Sequence, residues 1–432
     1  MKKYLILVLI LLSACSVTDD NKLSEKVESN DNVLVDYLAE NIATFNDDDK
    51  AFVGFDLLKS DFDNSEVILV GENHLVDKNY ELKLLMMKYL IENYDEVTYI
   101  KESGYIDGLL LQKYIDTGDK EILDKAFSVY KEATIENYNY WINLHDYISK
   151  LPERKKIKIV GIDIEWNMIR AVDYLQNMLL NKNLKDEEYE MFKFVFMVND
   201  FVSEELNKLN HKEFHIAFDN VIDFYREFSE QHNKSEYKNI LDDEYFEFIM
   251  IVKGIIDTYD FYYIADRLED GFSQASVVRE RAIYENFMSV YERDGESKYF
   301  GFWGGLHTDL YCNNASGFGN TAPMATRLNL NSPVSGKMYT IELSYNNPEL
   351  TWYGDTYLPP KVRELVEDDY TLFHLNGKDT VFKSARMDDF DCTTGMKLAY
   401  PDNIGVLDHI QAIIVISNAK KTTEFDLIDN GN

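Results

Sequence analysis

Histidine and carboxylate side chains follow four short apolar runs of the sequence. The runs are typical of buried strands and cover residues 67–70, 97–100, 157–160 and 299–303. The groups that come after them are Glu72, His74, Glu102, Asp163, Glu165 and His307. Because parallel strands present their carboxyl ends at one edge of a sheet, we expect these groups to line one concave site. Histidines beside several carboxylates are the inventory of general acid–base hydrolysis.

Each of these residues also has a structural interpretation. A single histidine is more often structural or on the surface, and six others are interpreted that way: His145, His211, His215, His232, His374 and His409. Glu102 can pair with a basic residue such as Arg281, and Asp163 can cap the helix predicted to begin near Trp166. Because such residues follow all four predicted strands, we favour one functional site over four separate structural roles.

The elements that must position these residues alternate between strand and helix. Each of the first three runs precedes a segment of helical periodicity, which predicts βαβ units and an α/β fold with a largely parallel or mixed central sheet and flanking helices. Pro152 is the only proline before Pro323, so the region 167–297 is predicted to be mostly helical, with a large helical insertion at about 183–275. After Pro323 we predict a β-rich C-terminal part with strands at 338–345, 370–375 and 410–417.

The first residues carry an export pattern. Met1-Lys2-Lys3 precedes a compact apolar run over 4–12, and Leu12-Ser13-Ala14-Cys15 resembles a bacterial lipobox. We therefore expect residues 1–14 to be a lipoprotein signal peptide and Cys15 to carry lipid, with 15–32 as a polar tether to an α/β domain over 33–432. Because Ser16 does not resemble an inner-membrane retention signal, the expected location is the cell envelope, at the outer membrane or cell surface.

The net charge limits the partners of the folded part. The 432 residues include 77 acidic and 44 basic side chains, a formal charge of −33. Such a field repels phosphate backbones and anionic lipids, so binding to nucleic acid is excluded and contact with the membrane is expected through the N-terminal lipid only. The partner expected is a small-molecule substrate.

Two cysteines remain after Cys15. In an exported protein, Cys312 and Cys392 either form a disulfide or are two separate buried thiols. Neither has a histidine at the spacing of a cysteine nucleophile or a zinc ligand, which makes a cysteine enzyme and a zinc finger poor interpretations.

The motifs that contain these histidines and carboxylates also resemble those of a known family. Gly71-Glu72-Asn73-His74, Glu81-Leu82-Lys83 and Glu102 resemble the opening signature of the erythromycin esterases, in which a Gly-Glu-x-x-His turn precedes a helix and then a strand that ends in glutamate. The resemblance continues at Gly161-Ile162-Asp163, at 279–286, and at Phe300-Gly301-Phe302-Trp303 leading to His307. The wider group includes ChaN-like haem-binding lipoproteins and TraB/Tiki proteins.

The resemblance implies a hydrolase that acts on a small ester or lactone. It implies that His74 activates water, that Glu72 and Glu102 orient it or contact substrate, and that His307 stabilises the oxyanion or donates a proton. Supporting or substrate-binding roles fall to Lys83, Asp163, Glu165 and Arg279. Two positions depart from the family: one residue separates Glu72 from His74 instead of two, and Gly304-Gly305 stands where the esterases carry an additional histidine.

Two alternatives stay open beside the cofactor-free esterase. His74, His307, Glu102 and Asp163 form a nitrogen and oxygen ligand set that suits a divalent metal, as in a hydrolase of the TraB/Tiki type. A non-enzymatic lipoprotein of the ChaN type would instead hold haem or another ligand in the same cleft. The absence of a Gly-x-Ser-x-Gly elbow disfavours a serine hydrolase.

Overall fold

The central element of the fold is a mixed sheet of eight strands. The computed structural model describes residues 33–46, 50–128, 133–152, 155–201, 216–268, 270–312, 321–349, 360–385 and 405–424. The strands are β1 (Ile42–Phe45), β2 (Val67–Glu72), β3 (Glu96–Lys101), β4 (Lys156–Gly161), β5 (Lys298–Gly304), β6 (Met338–Asn346), β7 (Tyr370–His374) and β8 (Ala412–Ser417). Their order across the sheet is β1-β7-β8-β6-β2-β5-β3-β4.

The four strands expected to precede the candidate histidines and carboxylates are neighbours in this sheet. β4, β3, β5 and β2 run parallel, and β6 and β8 continue the parallel part. β7 runs antiparallel to both of its neighbours, β8 and β1. The predicted mixed α/β fold is confirmed, and the carboxyl ends of all four strands face the same edge of the sheet.

The parallel part of the sheet is buried on both faces. Every residue of β2 is buried, and it pairs with β5 on one side and β6 on the other. Parallel strands covered by helices on both faces have nearly continuous apolar sequences, as the run 67–70 does. The strand therefore delivers Glu72 from the core to the edge of the sheet.

Helices cover both faces of the sheet. The structure describes six helices of thirteen or more residues: α1 (Asp77–Asn93), α2 (Tyr105–Thr117), α3 (Ile135–Ile148), α4 (Met168–Leu180), α5 (Tyr245–Arg267) and α6 (Gly271–Asp294). Shorter helices are Lys50–Phe55, Lys59–Asn64, Lys120–Phe127, Asp186–Phe192, Phe194–Met197, Ile222–Gln231, Ser235–Leu241, Met324–Asn331, Pro360–Arg363 and Val406–His409. Of the helices in the described ranges, none has the length and apolar character that a membrane span requires.

The described part of the region 183–275 consists of helices and turns, in agreement with the helical insertion predicted there. Within this region the sequence over 186–209 has helical periodicity, but its described part, 186–201, does not form one long helix. The chain turns at Lys193, between two short helices. Phe192 and Phe194, on either side of Lys193, are both buried.

The C-terminal strands predicted after Pro323 are present as β6, β7 and β8, and they extend the same sheet rather than forming a separate layer. Cys312 is buried. Cys392, the signal peptide, Cys15 and the tether lie outside the described residues, so the disulfide and the lipid anchor stay predictions.

Candidate active site

A cavity of about 220 Å³ opens at the carboxyl ends of β2, β3 and β4. Its charged lining residues are Glu72, His74, Lys83, Lys101, Glu102, Asp163 and Arg279, and its aromatic ones are Tyr80, Tyr99, Tyr140, Trp141, Trp166 and Phe302. The shared edge of the parallel strands brings these groups together, as such edges do in open α/β sheets. His74, Glu102 and Asp163 thus meet in one concave site.

His74 lies in the turn that follows β2 and is held by two carboxylates. Its Nδ1 is 3.1 Å from Glu72 Oε1, and its Nε2 is 3.8 Å from Glu102 Oε2. A carboxylate only accepts hydrogen bonds, so the shorter contact places the proton of the neutral ring on Nδ1. Nε2 then carries the lone pair. Since 3.8 Å is too long for a hydrogen bond, this nitrogen is available to a water or substrate.

The imidazole of His74 is half exposed, with 52% of its side-chain surface accessible. Partial burial acts to lower its pKa, but the charges of Glu102 and Glu72 and the hydrogen bond to Glu72 outweigh that effect. The pKa of His74 therefore lies above its ordinary value.

Glu72 is fixed from the opposite side by Asn79 of α1. Asn79 Nδ2 donates to Glu72 Oε2 over 3.2 Å and to the carbonyl of Asn73 over 2.8 Å. Tyr345 Oη in turn donates to Asn79 Oδ1. This buried chain of hydrogen bonds fixes the carboxylate, and with it the ring of His74.

Glu102 is the centre of a buried ion-pair network with Arg279 and His307. Its Oε1 accepts from Arg279 Nη2 over 2.7 Å and lies 3.3 Å from His307 Nε2. Its Oε2 accepts from the backbone N–H of Gly304 over 2.7 Å. Burial acts to raise the pKa of this carboxyl, but His74, His307 and Arg279 hold the pKa well below its usual range. Glu102 is a permanent anion at the edge of the cavity.

Arg279, from α6, joins Glu102 to Asp163. Its Nε donates to Asp163 Oδ1 over 3.0 Å and its Nη2 to Oδ2 over 2.7 Å, a bidentate pair. The guanidinium also lies 5.1 Å from the ring of Trp166. Although burial opposes it, the charge of Asp163 raises the pKa of Arg279 further, so the side chain stays cationic.

The structure contradicts the partners that the sequence suggested for Glu102 and Asp163. Arg281 points away from Glu102 and lies 3.6 Å from Asp257. Helix α4 is capped by Asn167, whose side chain accepts from the backbone N–H of Arg170. Asp163 instead accepts from Arg279 and from Trp166 Nε1. The physical reason is the register of α6, which directs Arg279 toward both strand ends and Arg281 toward α5.

His307 lies behind the cavity rather than on its wall. It is buried, with Nε2 toward Glu102 and Nδ1 2.6 Å from Glu280 Oε1. Burial and Arg279 act to lower the pKa of His307, but Glu280 and Glu102 raise it to about 9. The ring is therefore an imidazolium at neutral pH. Glu280 is itself fixed by the backbone N–H of Met324, which donates to Oε2 over 2.6 Å.

Glu165 does not line the cavity. Its Oε1 accepts from the backbone N–H of Ile106 over 3.1 Å at the start of α2. Burial raises the pKa of this carboxyl to about 8. The side chain satisfies the first turn of α2, which follows the strand end that carries Glu102, and it supports the site indirectly.

Several residues of the cavity were missed by the sequence reasoning. Lys101 could have been found, because a lysine as the last residue of a buried strand requires a special environment. Glu280 follows Arg279 directly, but nothing in the local sequence shows that it faces His307. The aromatic residues Tyr140 and Trp141 come from α3, which no motif connects to the strand ends. Of the six histidines interpreted as structural, the four in described segments lie outside the cavity lining; His211 and His215 lie outside the described residues.

Gly304 explains one departure from the esterase pattern. A Cβ atom added at this position would lie 3.0 Å from His74 Nε2, closer than side-chain carbons normally approach. A glycine here keeps the free nitrogen of His74 accessible.

Comparisons with known proteins agree at the level of the fold. No protein-family model matches the chain, and no curated protein matches its sequence. Three solved structures superpose on it. A succinoglycan biosynthesis protein has a TM-score of 0.61 with 16% identity, over 91% of this chain and 99% of that one. A protein from Bacillus cereus has a TM-score of 0.60 with 14% identity over the same shares.

The third structure is a histidine-to-asparagine mutant of the erythromycin esterase EreC in its open conformation. It has a TM-score of 0.58 with 14% identity, over 87% of this chain and 96% of that chain. Identities this low establish a shared fold and no shared activity. The chain is therefore similar in fold to an erythromycin esterase over 87% of its length.

Proposed function

We propose that this protein is a hydrolase that cleaves a small ester or lactone with a water molecule activated by His74. The observation that carries the proposal is the geometry of His74, which is anchored through Nδ1 by the fixed carboxylate of Glu72 and presents Nε2 to the cavity. An imidazole oriented by a carboxylate is the usual general base of hydrolases. The fold shared with an esterase supports the same class of reaction.

The reaction begins with removal of a proton from water. His74 Nε2 takes the proton while the water oxygen forms a bond to the carbonyl carbon and the carbonyl electron pair moves onto oxygen. When the tetrahedral intermediate collapses, the bond between carbon and the alcohol oxygen breaks. The imidazolium of His74 returns its proton to the leaving oxygen, so acid and alcohol are released and the ring is neutral again. Glu72 stabilises the imidazolium that forms between these steps.

The cations of the site stabilise the negative charge of the tetrahedral intermediate. Arg279 lines the cavity, and the charged ring of His307 lies directly behind Glu102. Such fixed charges lower the barrier because they need no reorientation during the reaction. His307 acts chiefly through Glu102 in this arrangement, since both ring nitrogens face carboxylates.

The metal-dependent alternative has weaker support. In the described ranges, no group of three or more histidine, cysteine, aspartate or glutamate side chains is arranged to hold a metal ion. Arg279 instead provides the positive charge between Glu102 and Asp163. The cavity volume of about 220 Å³ is below the range of about 300–1,000 Å³ usual for drug-sized ligands, which favours a small ester over haem or a macrolide.

Replacing His74 by Ala is expected to lower kcat/KM for a chromogenic ester by about 10²–10⁴-fold, the usual contribution of positioned proton transfer. Glu102→Gln is expected to lower it as well while keeping the shape of the side chain. His145→Ala, which removes a histidine outside the site, is the matched control and is expected to retain activity. Circular dichroism and thermal unfolding establish that each variant is folded.

The same assay distinguishes general-base catalysis by His74 from metal-dependent hydrolysis. Activity is expected to persist after chelation by EDTA and dialysis. Loss of activity on chelation, with recovery on adding Zn²⁺ or Mn²⁺, would contradict the assignment of His74 as a base and make the same residues metal ligands.

The pH dependence of kcat/KM is expected to be bell-shaped. Activity rises with pH as His74 loses its proton, and because its pKa is raised, this limb lies above pH 6.5. Activity falls as His307 loses its charge at a pKa of about 9. Glu102→Gln removes the largest contribution that raises the pKa of His74, so the acidic limb is expected to move to lower pH. An acidic limb that stays in place in this variant would contradict the coupling.

We also propose that lipid on Cys15 tethers the folded part to the cell envelope, on the strength of the lipobox resemblance. The expected result is recovery of the protein in the membrane fraction, with an N-terminal peptide whose mass includes a lipidated Cys15. Cys15→Ser is expected to move it to the soluble fraction, while Cys312→Ser leaves it on the membrane. A mature N-terminus without lipid would contradict the proposal.

A further inference from the structure

Three residues that line the cavity carry hydrogen-bond donors with no acceptor among the described residues. Lys83 makes no hydrogen bond or ion pair with any described residue, although it is only 7% exposed. Tyr140 Oη and Trp141 Nε1 are both buried, and the described part of the chain offers them no partner. All three residues line the cavity beside His74. Buried donors without acceptors are rare in folded proteins, so a cluster of them at a cavity indicates a ligand rich in acceptors.

Lys83 is surrounded by aromatic rings instead of carboxylates. Its Nζ lies 4.7, 4.9 and 5.5 Å from the ring centroids of Tyr80, Phe302 and Tyr140. Ring faces attract an ammonium but accept its hydrogen bonds only weakly. Burial lowers the pKa of Lys83 although Glu72 and Glu102 act in the opposite direction. The environment therefore leaves the charge without a hydrogen-bonding counter-ion.

Lys101 adds a second positive charge to the same wall. Burial and the charge of Lys83 lower its pKa to about 8, which shows that the two amines repel each other. An anion between them would relieve this repulsion and favour the charged form of both.

Each carboxylate of the cavity also has a hydrogen-bond partner other than the two lysines. Glu102 and Asp163 are held by Arg279, and Glu72 by His74 and Asn79. Three carboxylates and three basic side chains line the cavity, so its charge is zero with His74 neutral and positive with His74 protonated. The chain as a whole carries −33. The cavity is thus electrostatically distinct from the surface around it.

We propose that Lys83, Lys101, Tyr140 and Trp141 form a subsite for an anionic group of the substrate, a carboxylate, phosphate or sulfate. We call these four residues the anion subsite. Such a group offers several acceptor oxygens and no donor, which matches a lysine ammonium, a phenol and an indole N–H. The inference deepens the proposed hydrolase and rests on it for the nature of the reaction. It names the substrate class as a small ester that carries a negative charge.

The size of the cavity agrees with this class. A volume of about 220 Å³ is below the range of about 300–1,000 Å³ usual for drug-sized ligands, so the cavity suits a short molecule. One short molecule can therefore place its anionic group in the anion subsite and its ester carbonyl near His74 Nε2.

The first test measures binding without catalysis. Inorganic phosphate, sulfate and acetate are titrated into the purified full-length protein by calorimetry, and saturable binding of at least one of them is expected. Tyr140→Phe deletes one donor and keeps the phenyl ring, whereas Trp141→Phe deletes the indole N–H and leaves a smaller ring. Each is expected to weaken binding about tenfold, the lower range for a hydrogen bond to a charged group. Lys83→Met and Lys101→Gln are expected to weaken it at least as much. Lys113→Gln, an exposed lysine of α2, is expected to bind as the wild type.

Thermal unfolding separates this role from a structural one. Because Tyr140 Oη has no partner among the described residues, Tyr140→Phe is expected to leave the melting temperature of the free protein unchanged or higher. Only the rise in melting temperature that added anion produces is expected to be smaller. Absence of saturable anion binding, or variants that all bind like the wild type, would overturn the proposal.

The second test compares 4-nitrophenyl hemisuccinate, which carries a free carboxylate, with the neutral 4-nitrophenyl butyrate. The wild type is expected to have a higher kcat/KM for the charged ester, and Lys83→Met is expected to abolish the preference. Equal rates on both esters, unaffected by Lys83→Met, would overturn the anion subsite and leave the hydrolase standing. Anion binding that depends on the subsite residues, with no ester cleaved, would instead overturn the hydrolase and keep the subsite.

Discussion

The site depends on one buried carboxylate, that of Glu102. A charge taken out of water is costly unless partners satisfy it, and here those partners come from three separate elements. Arg279 approaches from α6, His307 from the turn after β5, and the backbone N–H of Gly304 from the end of that strand. Because none of them can be removed without leaving a buried charge, the network fixes the strand ends relative to α6. The position of His74 follows from the same arrangement.

This network places the two histidines in different environments. His307 is enclosed between Glu102 and Glu280, so it keeps its proton up to a pKa of about 9. His74 is half exposed, and Glu102 and Glu72 raise its pKa above its ordinary value. Environments that separate the pKa values of similar groups are how active sites assign acid and base roles. The same fold that stabilises the carboxylate therefore prepares a fixed cation and a titrating base side by side.

The sequence was sufficient to predict the sheet and much of the site. Continuous apolar runs such as 67–70 identify buried parallel strands, and the residues after them meet because parallel strands share an edge. The sequence could not show that Arg279 rather than Arg281 binds Glu102, because that choice depends on how α6 rotates against the sheet. It could not show Tyr140 and Trp141 in the cavity either, since α3 reaches the site only through tertiary packing. Periodicity over 186–209 also failed to show the interruption at Lys193 between two short helices.

The central claim concerns the protonation of two histidines around Glu102, and nuclear magnetic resonance of protein labelled with ¹⁵N-histidine measures it directly. The account predicts that neutral His74 carries its proton on Nδ1 and titrates above pH 6.5, and that His307 stays doubly protonated until about pH 9. Both values are expected to fall in Glu102→Gln. A His74 protonated on Nε2, or a His307 that is neutral at pH 7, would contradict the account.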